Sequence, residues 1–306
     1  MKTSVCICML TYKRPAMLER ALLSLAKLQL IANPDVDLQL VLVDNDASGS
    51  AESTFLRIRP QIPFEARYVV EKQQGIANAR NRALTEASGA DFLALIDDDE
   101  TADRLWIDEL VTVQRRYNAD VVSGPVTPEY EDAPAWVVQG GFFASRKEET
   151  GRQIHFVETN NVLFRGEYAR QFRFDLRFNR TSGEDTHFFF QLERAGARMI
   201  WAAKANVTEL IPKQRTTAAW LIDRAQSDAN RYSRARLYLS PGPHTHLERI
   251  CKAAGALGAG CFLLLTGVVA KHRAVKGLRM ISRSVGTTKA VLGSAHTYYK
   301  PGQLLR

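Results

Sequence analysis

The sequence predicts an α/β protein: a mostly parallel sheet with helices on both faces, followed by a basic, helical C-terminal extension. Three observations predict it. Apolar, strand-like runs alternate with helical stretches of ten or more residues, the pattern of a parallel sheet covered on both sides. Two of these runs end in acid, at Asp44 and at Asp97. Charge is also divided along the chain, whose net value is +8: residues 213–306 carry sixteen Lys or Arg against three Asp or Glu, and the remainder twenty-five against thirty. At 306 residues the chain can build one large α/β domain or two small ones with ample core.

Residues 4–12 read as an apolar strand, and Pro15 opens a helix reaching about residue 28. Residues 38–46 are a second strand and 64–71 a third, after which Gly75 begins a helix to about residue 87. The acid-tipped strand at 92–97 follows, then a helix near 105–117 and a strand at 121–126. In such sheets ligands bind at the carboxyl ends of the strands. Thr11, Asp44, Asp46, Asp97 and Asp99 all fall at that edge, a clustering that folding needs alone do not produce. Beyond Pro128 the pattern loosens, and residues 129–153, rich in charge, Pro and Gly, read as a flexible cover over a site. Residues 156–165 are expected to form a strand, and 182–194 a capped helix that starts with two acids.

The four cysteines show no paired metal spacing, so they read as structural thiols of a reducing cytoplasm. The apolar N-terminal stretch is too short for a secretory signal, which places the catalytic domain in the cytoplasm. Basic residues near the C-terminus are too dispersed, with too few aromatics, to favour nucleic acid. They flank the uncharged residues 253–270, which as a helix span roughly 27 Å against a hydrocarbon core of about 30 Å. A buried core helix, a re-entrant or interfacial segment and a short span all remain open. The flanking charge favours in-plane or hairpin attachment to an anionic membrane surface over a simple crossing.

Ile96-Asp97-Asp98-Asp99-Glu100 is the most informative stretch. Carboxylates packed at a strand end repel one another unless a cation sits among them. Oxygen-only ligands suit Mg²⁺ or Mn²⁺ with positions open to substrate phosphates. A solvated turn capping the next helix is the alternative. If the segment stays extended, two-residue alternation points Asp98 away from Asp97 and Asp99.

Five segments in order resemble glycosyltransferase family 2: Thr11-Tyr12-Lys13-Arg14-Pro15 with the strand before it, Val41 to Asp46, Gly75 to Arg82, Ile96 to Glu100, and Gly183-Glu184-Asp185. The likeness covers about residues 4–225. Ala79-Arg80-Asn81 together with Ile96 to Thr101 looks most like bacterial glucosyltransferases that assemble succinoglycan-type exopolysaccharide on a lipid carrier. The resemblance implies a GT-A catalytic domain over residues 1–225; residues 226–306, by their charge and the uncharged segment, read as a basic, helical, membrane-associating extension.

The same resemblance assigns roles. Asp44 would bind the donor base, or else form an Asx turn. Thr11, Tyr12 and Arg14 would wrap the nucleotide, with Asn78 and Arg80 near the base or diphosphate. Asp97 would lie at the donor ribose and Asp99 on the metal. Glu209 stands where many members have a metal-binding histidine, and is otherwise a surface strand residue. Arg215 resembles a segment that closes over the diphosphate. His187 reads as a polar helix residue rather than a ligand. Asp185 would be the catalytic base with Glu184 beside it, unless both merely cap a helix. The resulting expectation is an inverting, Mg²⁺- or Mn²⁺-dependent hexosyltransferase at the cytoplasmic face of the inner membrane. Its partners would be a nucleotide-sugar donor, UDP-glucose by the resemblance, and a lipid-diphosphate-linked oligosaccharide acceptor. A sugar-nucleotide pyrophosphorylase and a non-catalytic membrane scaffold are the alternatives.

Overall fold

The computed structural model describes residues 2–266 and 270–296. The chain opens with β1 (Thr3–Thr11), α1 (Pro15–Leu25), β2 (Val36–Asp44), α2 (Glu52–Ile58), β3 (Glu65–Val70), α3 (Ile76–Glu86) and β4 (Phe92–Asp97). After β4 come β5 (Glu100–Ala102), α4 (Trp106–Tyr117), β6 (Val121–Ser123), β7 (Val126–Tyr130) and α5 (Ala135–Gly140). Next are β8 (Asn161–Arg165), α6 (Gly166–Gln171), α7 (Glu184–Arg194), β9 (Met199–Trp201) and β10 (Val207–Ile211). Three long helices complete the described chain: α8 (Ala218–Leu239), α9 (Pro243–Thr266) and α10 (Lys271–Val291).

Seven strands form one sheet in the order β3-β2-β1-β4-β8-β6-β9. All its pairings are parallel except those of β8, which runs antiparallel to β4 and β6. Residues alternate between its two faces, as a strand buried on both sides requires. Val5, Ile7 and Met9 join α1, α2 and α4 on one side, while Cys6 and Cys8 pack with α3, α6 and α7 on the other. All four cysteines are free thiols, Cys6 and Cys8 buried in the sheet and Cys251 and Cys261 exposed.

The structure corrects four readings. The strand expected at 121–126 breaks after Ser123, and β7 starts a second, three-stranded sheet in the order β5-β10-β7. Only residues 161–165 of the 156–165 run pair as a strand. The expected flexible cover at 129–153 holds β7's end and α5, and aromatic contacts tie it down: Phe143 stacks on Trp220 at 5.9 Å, and Phe142 meets Trp136 at 5.7 Å. A boundary at residue 225 falls inside α8, which is one continuous helix.

The C-terminal helices form a layered hairpin on the sheet domain, with α10 packed between α8 and α9. Gly286 makes the α8 contact possible, since a Cβ there would sit 2.1 Å from the Gln226 carbonyl oxygen. Outermost α9 leaves Leu247, Ile250, Leu257, Phe262 and Leu265 exposed at successive spacings of three, seven, five and three residues, which the helical turn keeps on one half of the helix as an apolar stripe. It is long and apolar enough to cross a membrane by length and composition, and little of it is buried. Residues 267–269 of the uncharged segment lie outside the described residues.

Candidate active site

A cavity of about 380 Å³ opens at the carboxyl ends of β1 and β4, where parallel register sets Leu10 beside Asp97. Three groups of side chains line it.

The first is the acidic tip. β4 ends at Asp97, and the turn into β5 is closed by Glu100, which accepts the Asp97 N–H at 3.0 Å. Asp98 does not point away. The strand has ended, so alternation no longer governs it; its carboxylate accepts the Thr11 hydroxyl at 2.7 Å and pairs with Arg14 at 3.3 Å. Asp99 lies 3.2 Å from both Arg14 and Arg215. Antiparallel pairing of β10 with β5 sets Glu209 opposite Glu100, and Arg215 reaches Glu209 at 2.8 Å. One guanidinium thus bridges the two carboxylates expected to hold metal.

Burial, reinforced by like charge, pushes Asp97 up to about 6, Asp98 up to about 7 and Glu209 up to about 7. Glu100 rises for the same reasons. Burial would lower Arg14, but Asp98 and Asp99 outweigh it and raise the guanidinium above its ordinary range. Acids held against their tendency to ionise fit a site that receives positive charge. Among the described residues no three His, Cys, Asp or Glu side chains form a cage for an ion by themselves. Asp99 and Glu209 therefore fit a partial shell, with oxygen donors suited to a hard divalent ion whose other positions are filled by phosphate or water.

The second group begins α7. Gly183 has φ 105°, and a Cβ there would lie 2.9 Å from the Cβ of Arg231, so glycine serves both the turn and the approach of α7 to α8. Asp185 Oδ1 accepts the Thr186 N–H at 2.6 Å, and its Oδ2 lies 3.9 Å from Arg231. Burial alone would raise Asp185, but Arg231, Arg80 and the Thr186 bonds outweigh it and hold the carboxyl below its usual range. Glu184 pairs with Arg80. Burial still pushes it up to about 7, with Arg80 only partly opposing and Asp185 adding to the rise.

The third group was not legible in the motifs. Arg231 bonds Glu158 at 2.9 Å and lies 3.3 Å from Asp228, and Phe142, Phe143, Trp220 and Arg279 complete the wall. Arg224, Asp228 and Arg231 are spaced four and three residues apart on α8, a charged stripe on one helix face that sequence periodicity does contain.

Arg14, Arg80, Asp97, Asp99, Asp185, Glu209 and Arg215 come together around the cavity. Four expected donor contacts do not line it. Asp44 is fully buried, and its carboxylate accepts the Asp46 and Ala51 N–H groups and the Tyr68 hydroxyl. The Asx-turn alternative describes it. Thr11 is spent on Asp98, Tyr12 accepts from Gln74 at 2.8 Å, and the Asn78 side chain turns back to the Gln74 carbonyl at 3.5 Å. His187 is buried, lies 2.9 Å from Gln191 and leans on Phe178, as a helix residue rather than a ligand.

Comparison with known proteins decides the family. The sequence profile described as Glycosyl transferase family 2 matches residues 6–176. The succinoglycan biosynthesis protein ExoM of Rhizobium meliloti is 36% identical over 217 residues, covering 70% of this chain and 69% of that protein. This chain belongs to glycosyltransferase family 2. A glucosyl-dolichyl phosphate glucuronosyltransferase of Haloferax volcanii is 26% identical over 51% of this chain and 54% of its own length. Among solved structures, a mannosyltransferase from Pyrobaculum calidifontis, in complex with GDP-Man and Mn²⁺, shares the GT-A fold. Its TM-score is 0.65 at 18% identity, covering 96% of this chain and 88% of that one. TarS of S. aureus in complex with UDP gives 0.53 at 14% identity, covering 98% and 93%. The family 2 assignment makes this chain a glycosyltransferase and leaves the pyrophosphorylase alternative without support.

Proposed function

We propose that this family 2 enzyme transfers a hexose, with inversion, from a nucleotide sugar such as UDP-glucose to a lipid-diphosphate-linked oligosaccharide. The pathway would be exopolysaccharide assembly at the cytoplasmic face of the membrane. One observation carries the reading: a carboxylate flanked by Arg231 and the Thr186 N–H, Asp185, and a tip of acids and arginines share one cavity.

Asp97 and Arg80 would hold the donor, and Arg14 and Arg215 its diphosphate. Asp99 and Glu209 would hold Mg²⁺ or Mn²⁺, which when bound supplies Lewis-acid neutralisation of the departing phosphate charge. The acceptor oxygen bonds to the anomeric carbon as the bond to the diphosphate oxygen breaks. Asp185 takes the hydroxyl proton on the face opposite the leaving group. Its low affinity for protons keeps it in the basic form at neutral pH. Glu184, tied to Arg80, fixes the start of the helix that carries the base. The exposed α9 stripe and the basic residues of α10 would seat the enzyme in the plane of an anionic membrane.

Incubating purified protein with several radiolabelled nucleotide sugars, lipid-linked acceptors and Mn²⁺ tests this. Incorporation into lipid from one donor is the expected result; pyrophosphate-dependent nucleotide synthesis, or no turnover of any donor, would remove the reading.

A further inference from the structure

The wall of the cavity that no family motif supplies has the chemistry of a second subsite. Phe143 and Trp220 present stacked rings 5.9 Å apart, Phe142 stands beside them, and Glu158 and Asp228 supply carboxylates nearby. Aromatic faces with a few convergent polar groups are the ordinary lining of a small-molecule pocket, and a sugar offers both an apolar face and hydroxyls. Arg279 differs from its neighbours on this wall. Arg231 is held by Glu158 at 2.9 Å and Asp228 at 3.3 Å, and Arg224 lies 3.0 Å from Asp228. Arg279 instead lies over the Phe142 ring at 5.0 Å, and its buried Nε has no hydrogen-bond partner among the described residues. Burial pulls its guanidinium below the ordinary range, and Asp228 only partly offsets this.

Position identifies the anion that would satisfy it. Arg279 projects into the cavity from α10, the helix packed between α8, which carries Arg231, and α9, which carries the exposed apolar stripe. Asp185 and Arg279 line the same cavity, so an acceptor with its sugar at Asp185 brings the group beyond that sugar toward Arg279. We propose that Arg279 binds the phosphate joining saccharide to lipid in the acceptor, with Phe142, Phe143 and Trp220 receiving the sugar. A guanidinium fork matches phosphate oxygens in pairs, which a lysine cannot do. This rests on the lipid-linked acceptor proposed above, and the radiolabel panel tests that reading independently.

The test is equilibrium binding to the full chain of two water-soluble probes: a disaccharide carrying geranyl diphosphate, and the same disaccharide as a geranyl glycoside. The wild type should prefer the diphosphate by about tenfold or more, the scale of a charge-assisted pair. Arg279→Gln should reduce that preference to within about threefold, and Arg279→Lys should recover only part of it. No preference in the wild type, or full preference in Arg279→Gln, overturns the assignment. A headgroup site would behave differently: Arg279→Gln would lose affinity for phosphatidylglycerol vesicles yet keep the diphosphate preference, which also overturns it.

Discussion

Glu184 and Asp185 are sequence neighbours, both buried, yet their protons are held in opposite senses. Glu184 is pushed up to about 7 and Asp185 is held below its usual range. The difference lies in Arg231, the first of the opposing charges on Asp185 but only a minor one on Glu184, and in the Thr186 bonds, which Asp185 alone receives. Asp185→Asn should lower turnover by about 10² to 10⁴ with donor affinity nearly intact, since a base acts only as the acceptor attacks. Paired turnover and donor-binding measurements check this; near-normal turnover in a folded variant would move suspicion to Glu184. Glu184 shares with Asp97, Asp98 and Glu209 a coupling of stability to pH. A carboxyl raised in the folded state contributes stability that is full below its unfolded value and is lost as pH rises through about 7. The melting temperature should therefore fall between pH 5 and pH 8, and Glu184→Gln should make that slope shallower by the share of this one carboxyl. An unchanged slope would show that Glu184 titrates normally. Asp99→Ala, which removes a carboxylate shared by Arg14 and Arg215, should abolish transfer and weaken donor binding at least about tenfold, as calorimetry with a nucleotide sugar would show.

Among the elements, α9 and α10 divide the work of the C-terminal region. The α9 stripe faces outward while α10 holds α8, so their substitutions should have separable effects. Replacing Leu257 and Phe262 with Glu should reduce sedimentation with anionic vesicles about tenfold or more and move the melting temperature little, because both side chains are exposed. Truncation after Ser240 has a different expected outcome: it would strip α10 from α8 and remove Arg279 from the cavity wall, so soluble yield should drop. The sequence made α1, α3, α4 and β1 to β4 legible because each is a continuous apolar run or a periodic one between clear turn residues; the short α2 escaped it. It hid the antiparallel direction of β8, since residue alternation is the same in either direction. It also hid Arg231, which meets Asp185 only because Gly183 lets two distant helices touch. The acid tip was legible as a site, but Asp98's inward turn was not, because alternation stops where the strand does.

At the scale of the molecule, the charge division along the sequence becomes a spatial one. Acids gather at the sheet edge, and the basic excess of residues 213–306 supplies both the guanidinium at the acidic tip, Arg215, and the flanks of an exposed apolar helix. Two forces would then hold the enzyme on a membrane, and salt weakens only one of them. Raising ionic strength to about 1 M, where the screening length is roughly 3 Å, should release part of the full-length protein from anionic vesicles and leave a salt-resistant fraction. Complete release, or a wholly soluble protein at low salt, would exclude the apolar contribution.

The antiparallel β8 also sets an order of assembly. β4 borders β1 on one side, but its other neighbour, residues 161–165, is synthesised more than sixty residues later. Until then a nascent chain presents the apolar edge of Phe92–Asp97 with unpaired backbone groups, a template for pairing with another chain. On a ribosome that interval lasts several seconds at about 5 to 20 residues per second. Fragments ending between residues 100 and 160 should accordingly aggregate, whereas those extending past β9, by which point β8 covers the β4 edge and the sheet is complete, should recover solubility.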